Sequence, residues 1–482
     1  MPSPSVCVPR VVLGLLLAAM LRGESELGSA IEPVVDLARG APAELASDAL
    51  IRLANLERLD KKRRIELLNQ AFELAAGASQ PYKRRAAPLH AAGPAGFLER
   101  AYAQDLDTLS LRLRAVEGLL LLDPRIARER FEEIPPRQLP ALTCDDFLVY
   151  DVSRFYEVLG KVAAASFNAR EVREQAPVTF LARYVGVISS PAQIAPAARL
   201  LARAVLPNAE FQMLAAAFAG AVGSIAGDDR SFTYAGREAG AAIEDLAKLG
   251  ERRALSPIVL LGAYRTFLVN HLTGARCEPL ESESDAGPAA FFNERLRIPA
   301  LPAIGENELT PSKAEGKAKG LAWCESPECR AIRDQFHTLV FRADGEAVQE
   351  GERKKNPWQA GVRDFLAAIA SWDQSTGASP AEHFREKIGF YGDLVAIVPN
   401  GDTREYVLRS MLAYLIQSRP GPEGLIEWNL PIVQLVGRVN LDPRGLGKVA
   451  DDLRRANDPA VALEMAVERI APRAVSEFML LL

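Results

Sequence analysis

Residues 109–134 read LSLRLRAVEGLLLLDPRIARERFEEI. Leu109, Leu113, Val116 and Leu120 recur at i, i+4, i+7 and i+11, the spacing that places side chains on one face of an α-helix. The run breaks at Asp123-Pro124, where an Asp oxygen can accept from an orphan amide and Pro has no amide to leave orphaned. A second amphipathic pattern then continues to Ile134, so the stretch predicts two helices joined by a tight turn.

The same reading extends along the chain. Leu53 to Leu74 repeats the helix, Asp-containing turn and helix, with Ile65, Leu68, Phe72 and Ala75 forming its second stripe. Phe211, Leu214, Phe218, Val222 and Ile225 form another. Further helix starts are marked at Ser190-Pro191, Ser379-Pro380, Asp442-Pro443 and Asp458-Pro459, and Ser379 with Glu382 makes a capping box. Leu394 to Val398 and Pro431 to Val436 are β-branched and short, but helical pattern flanks both and they are read as helical. Hydrophobic residues make up 49% of the chain, charged ones 25% and aromatics 7%. The apolar share is chiefly Ala and Leu, which favours helix over sheet. The expected fold class is all-α.

The paired helices, with Leu122-Asp-Pro-Arg returning as Leu441-Asp-Pro-Arg, resemble the helix-turn-helix unit of HEAT and TPR solenoids. Spacing is not constant and the Trp-x-x-Leu-Gly opening of TPR units is missing. The resemblance implies helical hairpins stacked as an irregular α-solenoid; two helical domains are the alternative. The chain as a whole also resembles exported bacterial proteins without an assigned function, which implies no chemistry.

Residues 1–30 are read as a signal peptide: Arg10 precedes an apolar run from Val11 to Leu21, too short for a spanning helix of about 20 residues. Leu27-Gly-Ser-Ala30 then puts small residues where signal peptidase cuts, so the mature chain is expected to begin at Ile31, periplasmic or extracellular. No later apolar run reaches about 18 residues, and no membrane span is expected after signal removal. The net charge of −5 is unchanged when Arg10, Arg22, Glu24 and Glu26 leave, and gives no reason to expect a nucleic acid partner. Glu278 to Lys319 is rich in Pro, Ser, Gly and charge. It is read as a linker or long loop (278–319) between an N-terminal helical domain (31–277) and a C-terminal one (320–482).

The mature chain keeps Cys144, Cys277, Cys324 and Cys329, an even number that suits two disulfides in an oxidising compartment. The preferred pairing is Cys324 with Cys329 and Cys144 with Cys277; Cys277 with Cys324 is the rival. A zinc site using Cys324, Cys329 and His337 would lack a second CxxC. His90, His271, His337 and His383 stand singly, and no HExxH, GxSxG, Rossmann or phosphate-loop pattern occurs, so no metal or cofactor is expected. Carboxylates are the remaining chemical candidates: Asp145 and Asp146, with Asp151 nearby, and Asp228 and Asp229. Paired acids can work as acid and base when their surroundings split their pKa values, but these also suit caps and turns. Phe147, Tyr150, Phe155 and Tyr156 beside the first pair fit a groove or, more simply, a core. The expected function is an exported helical scaffold or binding protein whose partner is a protein or peptide. The alternative is an all-helical lyase or hydrolase acting on a polymer through those carboxylates.

Overall fold

The computed structural model describes residues 31–85, 93–135, 138–225, 227, 229–273, 286–308, 323–373 and 379–474. The signal segment, His90, Asp228 and Cys277 lie outside the described residues. The fold is all-α. Its first half holds helices at 31–39 (α1), Ala43–Ala54 (α2), Lys61–Leu74 (α3), Gly93–Tyr102 (α4), Thr108–Leu122 (α5), Pro124–Glu132 (α6), Ser153–Ala165 (α7), Ala169–Arg173 (α8), Ala176–Val185 (α9), Pro191–Arg203 (α10), Asn208–Gly223 (α11), Phe232–Arg252 (α12) and Pro257–Thr273 (α13). Ala286–Phe291 (α14) follows, then Pro327–Val340 (α15), Glu350–Arg353 (α16), Asn356–Ser371 (α17), Pro380–Ile397 (α18), Asp402–Gln417 (α19), Leu425–Leu441 (α20), Gly447–Arg455 (α21) and Pro459–Ile470 (α22). Arg84–Arg85 (β1) and Val149–Tyr150 (β2) make one short antiparallel pair, with Arg84 opposite Tyr150.

Side-chain oxygens start the helices where the sequence places them. Asp123 accepts from the amides of Arg125 and Ile126, Ser190 from Ala192, and Asp458 from Ala460 and Val461. Ser379 and Glu382 close a reciprocal capping box. Asp442 departs from the expectation. It ends α20, and its Oδ1 accepts from Gly445 in a separate turn, so α21 begins only at Gly447. Gly445 permits that turn by its size, because a Cβ there would collide with the Asp442 carboxylate.

Hairpins stack in the first half. α2 packs on α3 and α5 on α6; α5 continues onto α7, α7 onto α10 and α10 onto α12, while α9, α11 and α13 form a second row. The join is dense in aromatics: Phe131 lies 5.4 Å from Phe155, 5.8 Å from Phe180 and 5.5 Å from Tyr184, centroid to centroid. Burying each such ring contributes roughly 2–3 kcal/mol. In the second half α15 packs on α17 and α18, α18 on α19, and α19 on α20 and α21.

The two halves meet. α22 packs on α2, and α4 packs on both α18 and α20, so buried apolar side chains run as one cluster from Ile31 to Ala471. Within 278–319, residues 286–308 are not a bare tether. Phe292, Leu296 and Ile304 are buried, and Arg265 of α13 donates to the carbonyls of Pro302 and Ala303 and pairs with Glu308 at 2.8 Å.

Candidate functional site

The structure brings Asp146 and Asp229 to one junction, where each serves the backbone. Asp146 Oδ2 accepts from the amide and hydroxyl of Thr143 at 2.8 and 3.0 Å, closing a turn in which Asp145 is exposed. Asp229 is buried; its Oδ1 accepts from the amides of Leu142 and Ser231, and its Oδ2 from the Ser190 hydroxyl at 2.7 Å. With Arg230 N donating to Leu142 O, Asp229 ties the 138–148 loop to the starts of α10 and α12. The aromatics beside it separate. Phe155 and Tyr156 belong to the core, Tyr150 packs edge-on against Tyr82, and Phe147 lies against Leu98 and Leu148.

Cys324 and Cys329 are bonded to one another. Neither sulfur is then a thiolate available to zinc, and His337 is exposed against Phe341. Cys144 is also disulfide-bonded, to a partner outside the described residues. His271 is buried between Phe232 and Phe267 with Nδ1 3.0 Å from the Phe267 carbonyl, and burial together with Lys387 holds the His383 imidazole below its usual pKa. Among the described residues no three His, Cys, Asp or Glu side chains gather as a metal site would require.

A cleft of about 290 Å³ lies where α4 from the first half meets α18, α19 and α20 from the second. Phe97, Ile388, Leu408, Met411 and Leu435 give it an apolar wall, completed by the Trp323 indole. The small disulfide loop fixes that indole: Cys324 adopts φ 55° and donates its amide to Glu386 Oε1 at 2.7 Å. Gly389 permits the contact, because a Cβ there would lie 2.5 Å from the Trp323 ring. At Gly392, one turn on, a Cβ would meet nothing within 4 Å.

Three arginines and one acid line the same space. Arg385 of α18 is neutralised by Glu427, both of whose oxygens lie 3.3 Å from Nη1. Burial pushes the Glu427 carboxyl above its usual range, and Arg385 opposes that push. Arg100 of α4 has its Nε buried without a hydrogen-bond partner among the described residues. Arg438 of α20 makes no side-chain hydrogen bond or ion pair with any described residue, and burial together with the nearby Arg404 lowers its affinity for its proton. Asp393, at the exposed rim, likewise has no bonded partner among the described residues; desolvation raises its pKa and Arg100 opposes the rise.

The sequence offered one cue to this cleft. Gln434 and Arg438 stand four apart in the otherwise apolar 430–439 run, and polar side chains on a buried helix need a reason. Arg100 and Trp323 carried no such cue, because only tertiary packing brings them together. No protein-family model matches the chain, and comparison with curated proteins and with solved structures likewise finds no match.

Proposed function

We propose that this chain is an exported helical binding protein, and that the cleft between α4, α18, α19 and α20 receives a segment of a protein or peptide. The observation that carries the reading is the pairing of an apolar wall with two arginines, Arg100 and Arg438, that make no hydrogen bond or ion pair with a described carboxylate, Asp393 facing Arg100 without bonding to it. Desolvated cations without partners cost stability and are retained where a ligand completes them. Stacked hairpins, like those of the HEAT and TPR proteins the sequence resembles, suit such a role by holding distant residues in fixed relation. The polymer-cleaving alternative needs convergent carboxylates with room for a substrate, and it draws no support from Asp229, whose oxygens are occupied. Export is part of the proposal; among the described residues no helix is long and apolar enough to cross a membrane, and the Cys324–Cys329 disulfide suits an oxidising compartment.

Binding is tested on pentapeptide arrays anchored by either end, comparing the wild type with Gly392→Trp, which adds bulk to the cleft lining at a position where a Cβ meets nothing within 4 Å. Binding that the variant abolishes supports the reading; no binding, or binding the variant leaves intact, overturns it. Export is tested by the intact mass of protein from the exported fraction. The expected mass begins at Ile31 and is lighter by the hydrogens of two disulfides, Cys144 with Cys277 as the second. A chain that retains residues 1–30 overturns export.

A further inference from the structure

We infer that the cleft reads the carboxyl terminus of a peptide whose last side chain is apolar, with Arg100 and Arg438 taking the terminal carboxylate. The inference rests on the binding role just proposed and names its ligand. Charge decides between anions. Arg385 is already balanced by Glu427, so the uncompensated charges that line the cleft are Arg100, Arg438 and the opposing Asp393, a net of one positive charge, with Arg404 near Arg438 outside the lining. A carboxylate balances the lining, whereas a phosphate dianion meets twice the repulsion from Asp393. Guanidinium groups also match carboxylate geometry with paired, charge-assisted hydrogen bonds.

Asp393 decides between carriers of the carboxylate. It is an acceptor without a bonded partner on the cleft's rim, one residue from Gly392, where no side chain occupies the adjoining space. A peptide end supplies backbone N–H donors for Asp393 as well as an anion for the arginines; a fatty acid supplies only the anion. The volume sets the length. At about 290 Å³ the cleft is near the lower limit of ligand pockets, enough for a terminal residue and its neighbour against Trp323 and Met411, and too small for a folded segment.

The test is fluorescence anisotropy of the full chain with N-terminally labelled pentapeptide pools, randomised at the first four positions and ending in Leu, Phe or Met. Each pool is prepared as the acid and as the amide, with decanoate as competitor. The expected result is saturable binding of the acid, at least tenfold weaker binding of the amide, no competition by decanoate, and at least tenfold loss in Arg438→Met and Arg100→Met. Arg438→Lys should recover part of the loss, and circular dichroism melts confirm that each variant is folded. Equal binding of acid and amide, abolished by Gly392→Trp, would overturn the carboxylate inference while leaving peptide binding in place. Displacement of the bound acid by decanoate would overturn the choice of a peptide end over a fatty acid, and no binding of any pool would overturn both readings. Folded arginine variants that bind as the wild type does would overturn the assignment of Arg100 and Arg438.

Discussion

Arg52 Nη1 on α2 lies 3.1 Å from Glu464 Oε1 on α22, a bond between residues 412 positions apart that latches the α2–α3 hairpin to α22. Both side chains are buried, and the latch is wider than the pair. Arg52 also donates to Glu468 and to the Ala471 carbonyl, while Arg114 and Arg473 share Asp48. Three guanidinium groups thus face three carboxylates away from water, an arrangement that is costly to break by removing one member. Arg52→Met should destabilise the chain by about 3–5 kcal/mol, and Glu464→Gln by less because Glu468 still holds Arg52. Urea unfolding checks this: the midpoint should fall with the slope unchanged.

Two buried aspartates give opposite pH signatures. Burial alone would raise Asp48, but Arg114, Arg473 and Arg52 hold it down to about 2. Its contribution is therefore complete above its ordinary value near 4 and is lost as pH falls toward 2. Asp107, which caps α5, is pushed up to about 6 by burial, and the amide and hydroxyl of Ser110 only partly offset that. Its Oδ2 is buried without a hydrogen-bond partner among the described residues. Ionising it in the folded state is penalised, so this residue's contribution declines as pH rises from about 4 to 6 and stays low above that. Asp107→Asn keeps the capping oxygen and removes the charge. It should raise stability at pH 7.5 by about 2 kcal/mol and leave it nearly unchanged at pH 4, as read by chemical denaturation at the two values.

Asp229 separates a structural tie from a reactive acid. Asp229→Ala removes the acceptor for Leu142, Ser190 and Ser231 together and should cost about 3 kcal/mol, since buried donors are left unmatched. Asp229→Asn keeps an acceptor and should cost markedly less. Thermal unfolding of the two variants makes the comparison; equal and negligible losses would contradict the tie.

The helices were legible because their signals are local. Asp123 before Pro124 and the stripe from Leu109 to Leu120 fix a helix start and a buried face without reference to anything distant. Even the β-branched run at 431–436 reads correctly, because Trp428 and Val439 carry the same helical face on either side. What the sequence could not supply is which helices meet across hundreds of residues. Arg100 looks like an ordinary surface cation until α4 packs on α20, and Asp229 looks like a glycine-turn residue until the 138–148 loop arrives to donate to it. Charge and residue type are local properties, whereas convergence belongs to the folded chain.

The contact between Gly389 and Trp323 provides the sharpest comparison. In Gly389→Ala the new methyl would stand 2.5 Å from the indole, and the indole has little room to retreat. Its neighbour Cys324 is bonded to Cys329, and the Cys324 amide is held by Glu386. The ring must then leave the position in which it walls the cleft. Overpacking of this kind costs about 1–3 kcal/mol, against which alanine's better helix propensity returns up to about 1 kcal/mol. Gly392→Ala, three residues on in the same helix, gains the same propensity and meets nothing. Calorimetry should therefore show Gly392→Ala more stable than the wild type and Gly389→Ala equal to it or less stable. Peptide affinity should fall at least tenfold for Gly389→Ala alone. If both variants gained stability and bound as the wild type does, Trp323 would not be the fixed wall of the cleft, because only a yielding ring could absorb the methyl at no cost.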